Sequence, residues 1–118
     1  MEIESYRNLI VWQKSMQLVV EIYSITAKYP KAEVFGLVSQ SRRCSASIPS
    51  NIAEGRTRGS RKDFRQFLII AMSSGAELET QLEIAKQLKF IASTDTNIPD
   101  GLLTEVMKML NSMIKKLA

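Results

Sequence analysis

Apolar residues recur at alternating steps of three and four along four separate segments of this chain, and no segment alternates with a period of two. That spacing lines side chains along one face of an α-helix and leaves β architecture without a signal. In the first segment Leu9, Trp12, Met16, Val19, Tyr23 and Thr26 keep a 3-4-3-4-3 pattern, which reads as the inward seam of a bundle helix. Val11, Leu18, Ile22 and Ile25 form a second stripe beside it. The helix therefore buries a wide face over roughly 20 residues, about 30 Å. Tyr29-Pro30 ends it, because the residue before a proline is driven out of the helical region.

The second helix is expected from about Val34 to Gly55 or Arg58, with Leu37, Ser41, Cys44 or Ser45, Ile48 and Ile52 as its stripe. Its many small residues, Ser39, Ser41, Cys44, Ser45, Ala46, Ser47, Ser50 and Ala53, allow another helix to approach closely. Pro49 lacks a backbone donor and is expected to kink this helix; the stripe resumes in phase after it, which argues against a break. Gly55 and Gly59 supply a stop. Ser60 followed by Asp63 is a capping signature that starts the third helix at Arg61.

The third stripe runs through Phe64, Phe67 or Leu68, Ala71, Ser74 or Gly75, Leu78, Leu82, Ala85 and Leu88. Thr94 to Gly101, dense in turn formers, reads as a loop. The fourth helix carries Leu103, Val106, Leu110, Met113 and Leu117. The expected fold is all-α: a single antiparallel up-and-down four-helix bundle over residues 1–118, with helix 2 kinked at Pro49. Leu18, Val20, Ile69, Ile70 and Ile84 fall off the main stripes, which fits either a broad core or an interface between subunits.

A chain of 118 residues that is 45% apolar has the size and composition of one globular domain. The longest apolar run, Phe67 to Met72, is six residues, far short of a membrane span. The acidic N-terminus lacks the apolar core of a signal peptide, and a single cysteine forms no internal disulfide, so a cytoplasmic location is expected.

Charge is unevenly placed. Residues 42 to 65 hold seven basic residues against two acids, whereas the rest of the chain holds nine against ten. A focus of this kind favours an anionic partner. Within it, Arg56, Arg58, Arg61, Lys62 and Arg65 surround one helix–helix corner, where phosphates can meet both side chains and the free amides of a helix start. A solvated charged face is the plainer reading of the same run. The one aromatic among these residues, Phe64, belongs to the apolar stripe of the third helix, and no aromatic platform alternates with the charges, which favours a reader of backbone or shape in structured RNA over a reader of bases.

The chain has no histidine, which removes histidine-based triads, the usual zinc sites and the Glu-x-x-His di-iron pattern. Cys44 lies on a core stripe without a base beside it in sequence, and Glu77, Glu79 and Glu83 lack a matching ligand set on another helix. Neither catalytic residues, a metal nor a cofactor is expected. On helix 2 Arg43, Ser47, Ser50 and Glu54 share a face, as do Ser73 or Ser74, Glu77 and Gln81 on helix 3. Where those faces meet, Arg43 is expected to pair with Glu77, and Asn51 to satisfy backbone groups freed at Pro49. Arg43, Ser47, Asn51, Glu54 and Glu77 then read as a register-fixing polar network, with a functional pocket as the alternative.

Several separated motifs resemble one family. They are Tyr6-Arg7-Asn8-Leu9-Ile10-Val11-Trp12-Gln13-Lys14, Gln40-Ser41-Arg42-Arg43 leading into Ser47 to Gly55, Phe67-Leu68-Ile69-Ile70-Ala71, and Glu77 to Leu82. Together they span nearly the whole chain and resemble the four-helix bundle proteins encoded within intervening sequences of bacterial 23S rRNA genes. The resemblance implies a bacterial, cytoplasmic, homopentameric bundle with no enzymatic activity or cofactor. It also implies kinship with the basic accessory proteins of diversity-generating retroelements, which bind nucleic acid and a reverse transcriptase. Two functions follow as expectations: association with structured RNA, namely 23S rRNA or its intervening sequence, or a scaffold that docks a nucleic-acid enzyme.

Overall fold

The computed structural model describes residues 5–118. A 3-10 turn at Tyr6–Asn8 leads into helix α1 (Ile10–Thr26), and a second at Lys31–Glu33 precedes α2 (Leu37–Arg58). Helix α3 (Arg61–Gln87) follows almost at once; a third 3-10 turn, Ser93–Thr96, leads into α4 (Asn97–Lys116). No strand occurs among the described residues. Each helix packs on its neighbour in sequence and α4 closes on α1, giving the expected bundle with extents of 50 × 22 × 20 Å.

Local chemistry sets the boundaries. The Ser60 hydroxyl accepts the Asp63 N–H at 3.1 Å, so the capping signature starts α3 where the sequence placed it. Gly59 turns the chain out of α2 at φ 85°, a left-handed conformation that costs a glycine little. Helix α2 begins at Leu37, three residues later than the pattern suggested, because Lys31–Glu33 forms its own turn and the Glu33 carboxylate accepts the Leu37 N–H at 3.3 Å. The stretch read as a loop from Thr94 to Gly101 is mostly helical. Pro99 sits in the first turn of α4, where a missing N–H costs nothing. The Asp100 carboxylate there lies 2.8 Å from both the Thr96 hydroxyl and the Lys86 ammonium, which ties α4 to α3.

The core corrects the reading of α1. Leu18 and Ile22 are fully buried, with Val11, Ser15, Ile25 and Thr26 beside them, whereas Met16 and Tyr23 of the expected seam are 40% and 46% exposed. Both stripes satisfy the helical period, and period alone does not say which faces inward. The branched stripe wins, with Ser15 filling the position between Val11 and Leu18. In α3 the stripe is buried as expected from Phe64 to Ala85; Leu88, the C-cap residue, is exposed.

Helix α2 runs unbroken through Pro49, which is buried. Side chains bond backbone carbonyls throughout this stretch: Ser45 to Arg42, Ser50 to Ala46 and Asn51 to Ser47, at 2.8 to 2.9 Å. The Asn51 amide thus reaches the Ser47 carbonyl, not the Ser45 carbonyl that Pro49 leaves without its donor.

The most extensive helix contact joins α2 to α3, and it depends on small side chains. The Ser47 and Ser74 hydroxyls hydrogen-bond at 2.9 Å. A Cβ added at Gly55 would stand 2.5 Å from the Phe67 Cβ, closer than any real contact. At Gly75 the clash would be with the Met107 sulfur, the mobile end of a flexible side chain. Gly55→Ala is therefore expected to cost about 1–3 kcal/mol by forcing the helices apart, and Gly75→Ala clearly less. Thermal melts of the two variants check this; equal melting temperatures would show that α2 and α3 do not meet this closely.

Candidate nucleic-acid interface

The antiparallel order brings the end of α2, the start of α3 and the end of α4 to one end of the bundle. All five residues of the basic run lie there, and contacts occupy most of them. Arg65 donates through Nε to the Ile114 carbonyl at 3.1 Å, and Arg61 donates to the carbonyl of Lys116. Both satisfy carbonyls of the last turn of α4, where a helix dipole also favours a cation. Arg58 pairs with Glu54 at 3.2 Å one turn back, an exposed pair worth only about 0.3–0.5 kcal/mol, and its guanidinium lies 5.1 Å from the Phe67 ring. Arg56 is half-buried with its guanidinium 5.7 Å from the Phe64 ring. Lys62 is exposed on the first turn of α3.

Sequence reasoning missed two contributions to this end. Lys115 and Lys116 occupy the last turn of α4 and arrive beside Arg61 and Arg65 only through folding. A basic last helical turn was the available signal, masked because the remainder of the chain is close to neutral. A shallow groove of about 450 Å³ runs between the helices here, lined by Arg61, Lys62, Arg65, Gln66 and Leu117. The other contribution is aromatic. Phe64 and Phe67 lie under Arg56 and Arg58, and Tyr6 and Trp12 lie under Arg7; of these four only Phe64 falls within the basic run in the linear sequence, where it reads as part of the apolar stripe of α3.

The polar residues of α2 and α3 form smaller groups than expected. Ser47, Asn51 and Ser74 make one, with Asn51 Nδ2 donating to Ser47 Oγ at 2.9 Å. Gln81 builds another, its amide donating to Glu77 and its carbonyl accepting the Cys44 thiol, both at 3.2 Å. The expected Arg43–Glu77 pair does not form. Arg43 turns along its own helix to Gln40, Glu54 pairs with Arg58, and Gln81 meets Glu77. Those three contacts each stay within one helix, whereas the Ser47–Ser74 and Cys44–Gln81 hydrogen bonds cross from α2 to α3. Arg42 was also missed: it bonds Thr26 Oγ1 at 2.9 Å and the Tyr23 carbonyl at 3.3 Å, closing the end of α1 onto α2.

Among the described residues no group of three or more acidic, cysteine or histidine side chains has metal-binding geometry, and no helix is long and apolar enough to cross a membrane. Cys44 is 4% exposed, and burial, with the Glu77 carboxylate second, pushes its thiol up to about 12. The sign follows: at pH 8 the native thiol stays protonated, while an unfolded chain holds a substantial thiolate fraction. Iodoacetamide at pH 8 is expected to spare native Cys44 and label it quickly in denaturant. Rapid native labelling would contradict the burial.

Fold and site define a small helical bundle with a cationic, arginine-on-aromatic end. The chain belongs to the 23S rRNA-intervening sequence protein family, whose model matches residues 7–112. It is also similar to a solved structure from Bacteroides thetaiotaomicron, described as a protein with unknown function from the S23 ribosomal protein family. The two are 30% identical with a TM-score of 0.80, over 90% of this chain and 99% of the other. No curated protein matches.

Proposed function

We propose that this protein is a non-catalytic, oligomeric, cytoplasmic bundle that holds structured RNA, 23S rRNA or its intervening sequence, at its basic end. The observation that carries the reading is the convergence of Arg56, Arg58, Arg61, Lys62 and Arg65 with Lys115 and Lys116 at one end. The family's description, which ties these proteins to the 23S rRNA intervening sequence, supports the choice of RNA. Cations held on a rigid rim suit a phosphate backbone of fixed shape, with little cost of ordering on binding. Arg61 and Arg65 have a structural duty to α4, so the test removes charge elsewhere. Arg58→Ala, Lys62→Ala and Lys116→Ala together are expected to weaken binding to a 23S intervening-sequence hairpin. They are also expected to lower the slope of log affinity against log salt by about 2–3. Unchanged affinity and slope would remove this surface from the function.

Self-association, in the homopentamer that the family resemblance implies, is supported by apolar surface the single bundle leaves open. Met16, Val20 and Tyr23 form an outward stripe on α1, with Val20 66% exposed, and Phe35 at the far end is 94% exposed. Patches of this kind mark interfaces more often than solvent. Val20→Glu is expected to convert the assembly to smaller species in analytical ultracentrifugation while the helical signal stays. An unchanged sedimentation coefficient would place the interface elsewhere. The second reading, a scaffold docking a nucleic-acid enzyme, is favoured by a separate exposed set, Ile70 and Ile84 on α3 and Leu88 at its C-cap.

A further inference from the structure

Tyr6, Arg7 and Trp12 fold into a compact wall; Trp12 packs against the edge of the core, but neither the core nor the basic run explains the guanidinium set over it. The Arg7 backbone is held on both sides: its N–H donates to the Ser5 hydroxyl at 3.2 Å, and its carbonyl accepts from Gln13 Nε2 at 2.9 Å. The Tyr6 and Trp12 rings meet edge to face, with centroids 5.3 Å apart at 62°. The Arg7 guanidinium lies 5.6 Å from each centroid. Arg7 is exposed, the two rings are half-buried, and none of the ion pairs among the described residues involves Arg7. The Tyr6–Asn8 turn touches α2 as well as α1, and in the antiparallel bundle the start of α1 lies beside the end of α2. The wall therefore borders the basic end.

A cap whose only task is to cover Trp12 needs no charge, and an aliphatic side chain would do it with less desolvation. A guanidinium backed by two aromatic rings is instead a planar, cationic stacking surface. We propose that Tyr6, Arg7 and Trp12 stack an unpaired nucleobase that flanks the duplex held by the basic end. The inference rests on the RNA reading above and adds to it a single-stranded element. Stacking responds to ring area more than to base identity, so purines are preferred over pyrimidines without a fixed sequence. With its backbone fixed and its guanidinium already set against two rings, Arg7 has less freedom to lose when a base arrives than a side chain without such contacts, which favours affinity.

Trp12 is the only tryptophan in the chain, so its emission reports on this wall alone. The full chain is titrated with a blunt RNA hairpin and with the same hairpin carrying a short oligoadenine flank. The flanked hairpin is expected to bind about tenfold tighter and to quench Trp12, a factor within the range of one stacked base. Arg7→Ala, at an exposed position and checked by its melt, is expected to abolish that preference. Arg7→Lys keeps the charge but loses the plane, and is expected to retain only a minor part of it. Equal affinity for both hairpins with unchanged emission overturns the stacking wall and leaves the basic end intact. Full preference retained in Arg7→Lys overturns it too, since charge alone would then suffice. Binding of neither hairpin overturns both this inference and the RNA reading.

Discussion

The close approach of α2 and α3 governs the rest of this structure. Glycine at position 55 lets the Phe67 ring base sit where a Cβ would otherwise stand, and serines 47 and 74 bring their hydroxyls together at 2.9 Å. Small residues let backbones come near and increase dispersion contacts along the seam. They also favour this register, in which Gly55 faces Phe67 and Ser47 bonds Ser74. The unusual run from Ser47 to Gly55 is in this light the mark of a helix–helix contact, with Pro49 carried inside a continuous helix. Its polar residues bond across that contact and along their own helices, without gathering into one pocket.

That same register delivers the basic end. With α2 and α3 fixed, the short link through Gly59 and Ser60 places Arg56 and Arg58 against the aromatic rings of α3, and it aims Arg61 and Arg65 at the final carbonyls of α4. Structure and electrostatics share these side chains. An arginine that caps a helix keeps its charge and gains a fixed position, and fixed cations present a defined spacing to an anion. Lys115 and Lys116 then extend the positive rim across a second helix end.

Much of the fold was legible in the sequence: four helices, the cap at Ser60, the stop at Gly59 and the buried stripes of α2, α3 and α4 all follow from period and local chemistry. Where the reading failed, local information did not contain the answer. In α1 two apolar stripes have equal claim by spacing, and burial of Leu18 and Ile22 over Met16 and Tyr23 is decided by what the neighbouring helices offer. From Thr94 to Gly101 turn-forming residues are equally good first-turn residues, and the Lys86–Asp100 contact favours the helix.

The candidate site divides along the same line. The sequence by itself determined the helices and the concentration of charge between Arg42 and Arg65, because periodicity, capping and composition act over a few residues. Only the tertiary structure decided which arginines cap α4, which lie over aromatic rings, and that Arg43 stands apart from Glu77. It alone brought Lys115 and Lys116 to the basic end and set Arg7 over Tyr6 and Trp12. The physical reason is distance along the chain: Arg61 and Lys116 are 55 residues apart, and packing of the helices, not any local preference, makes them neighbours.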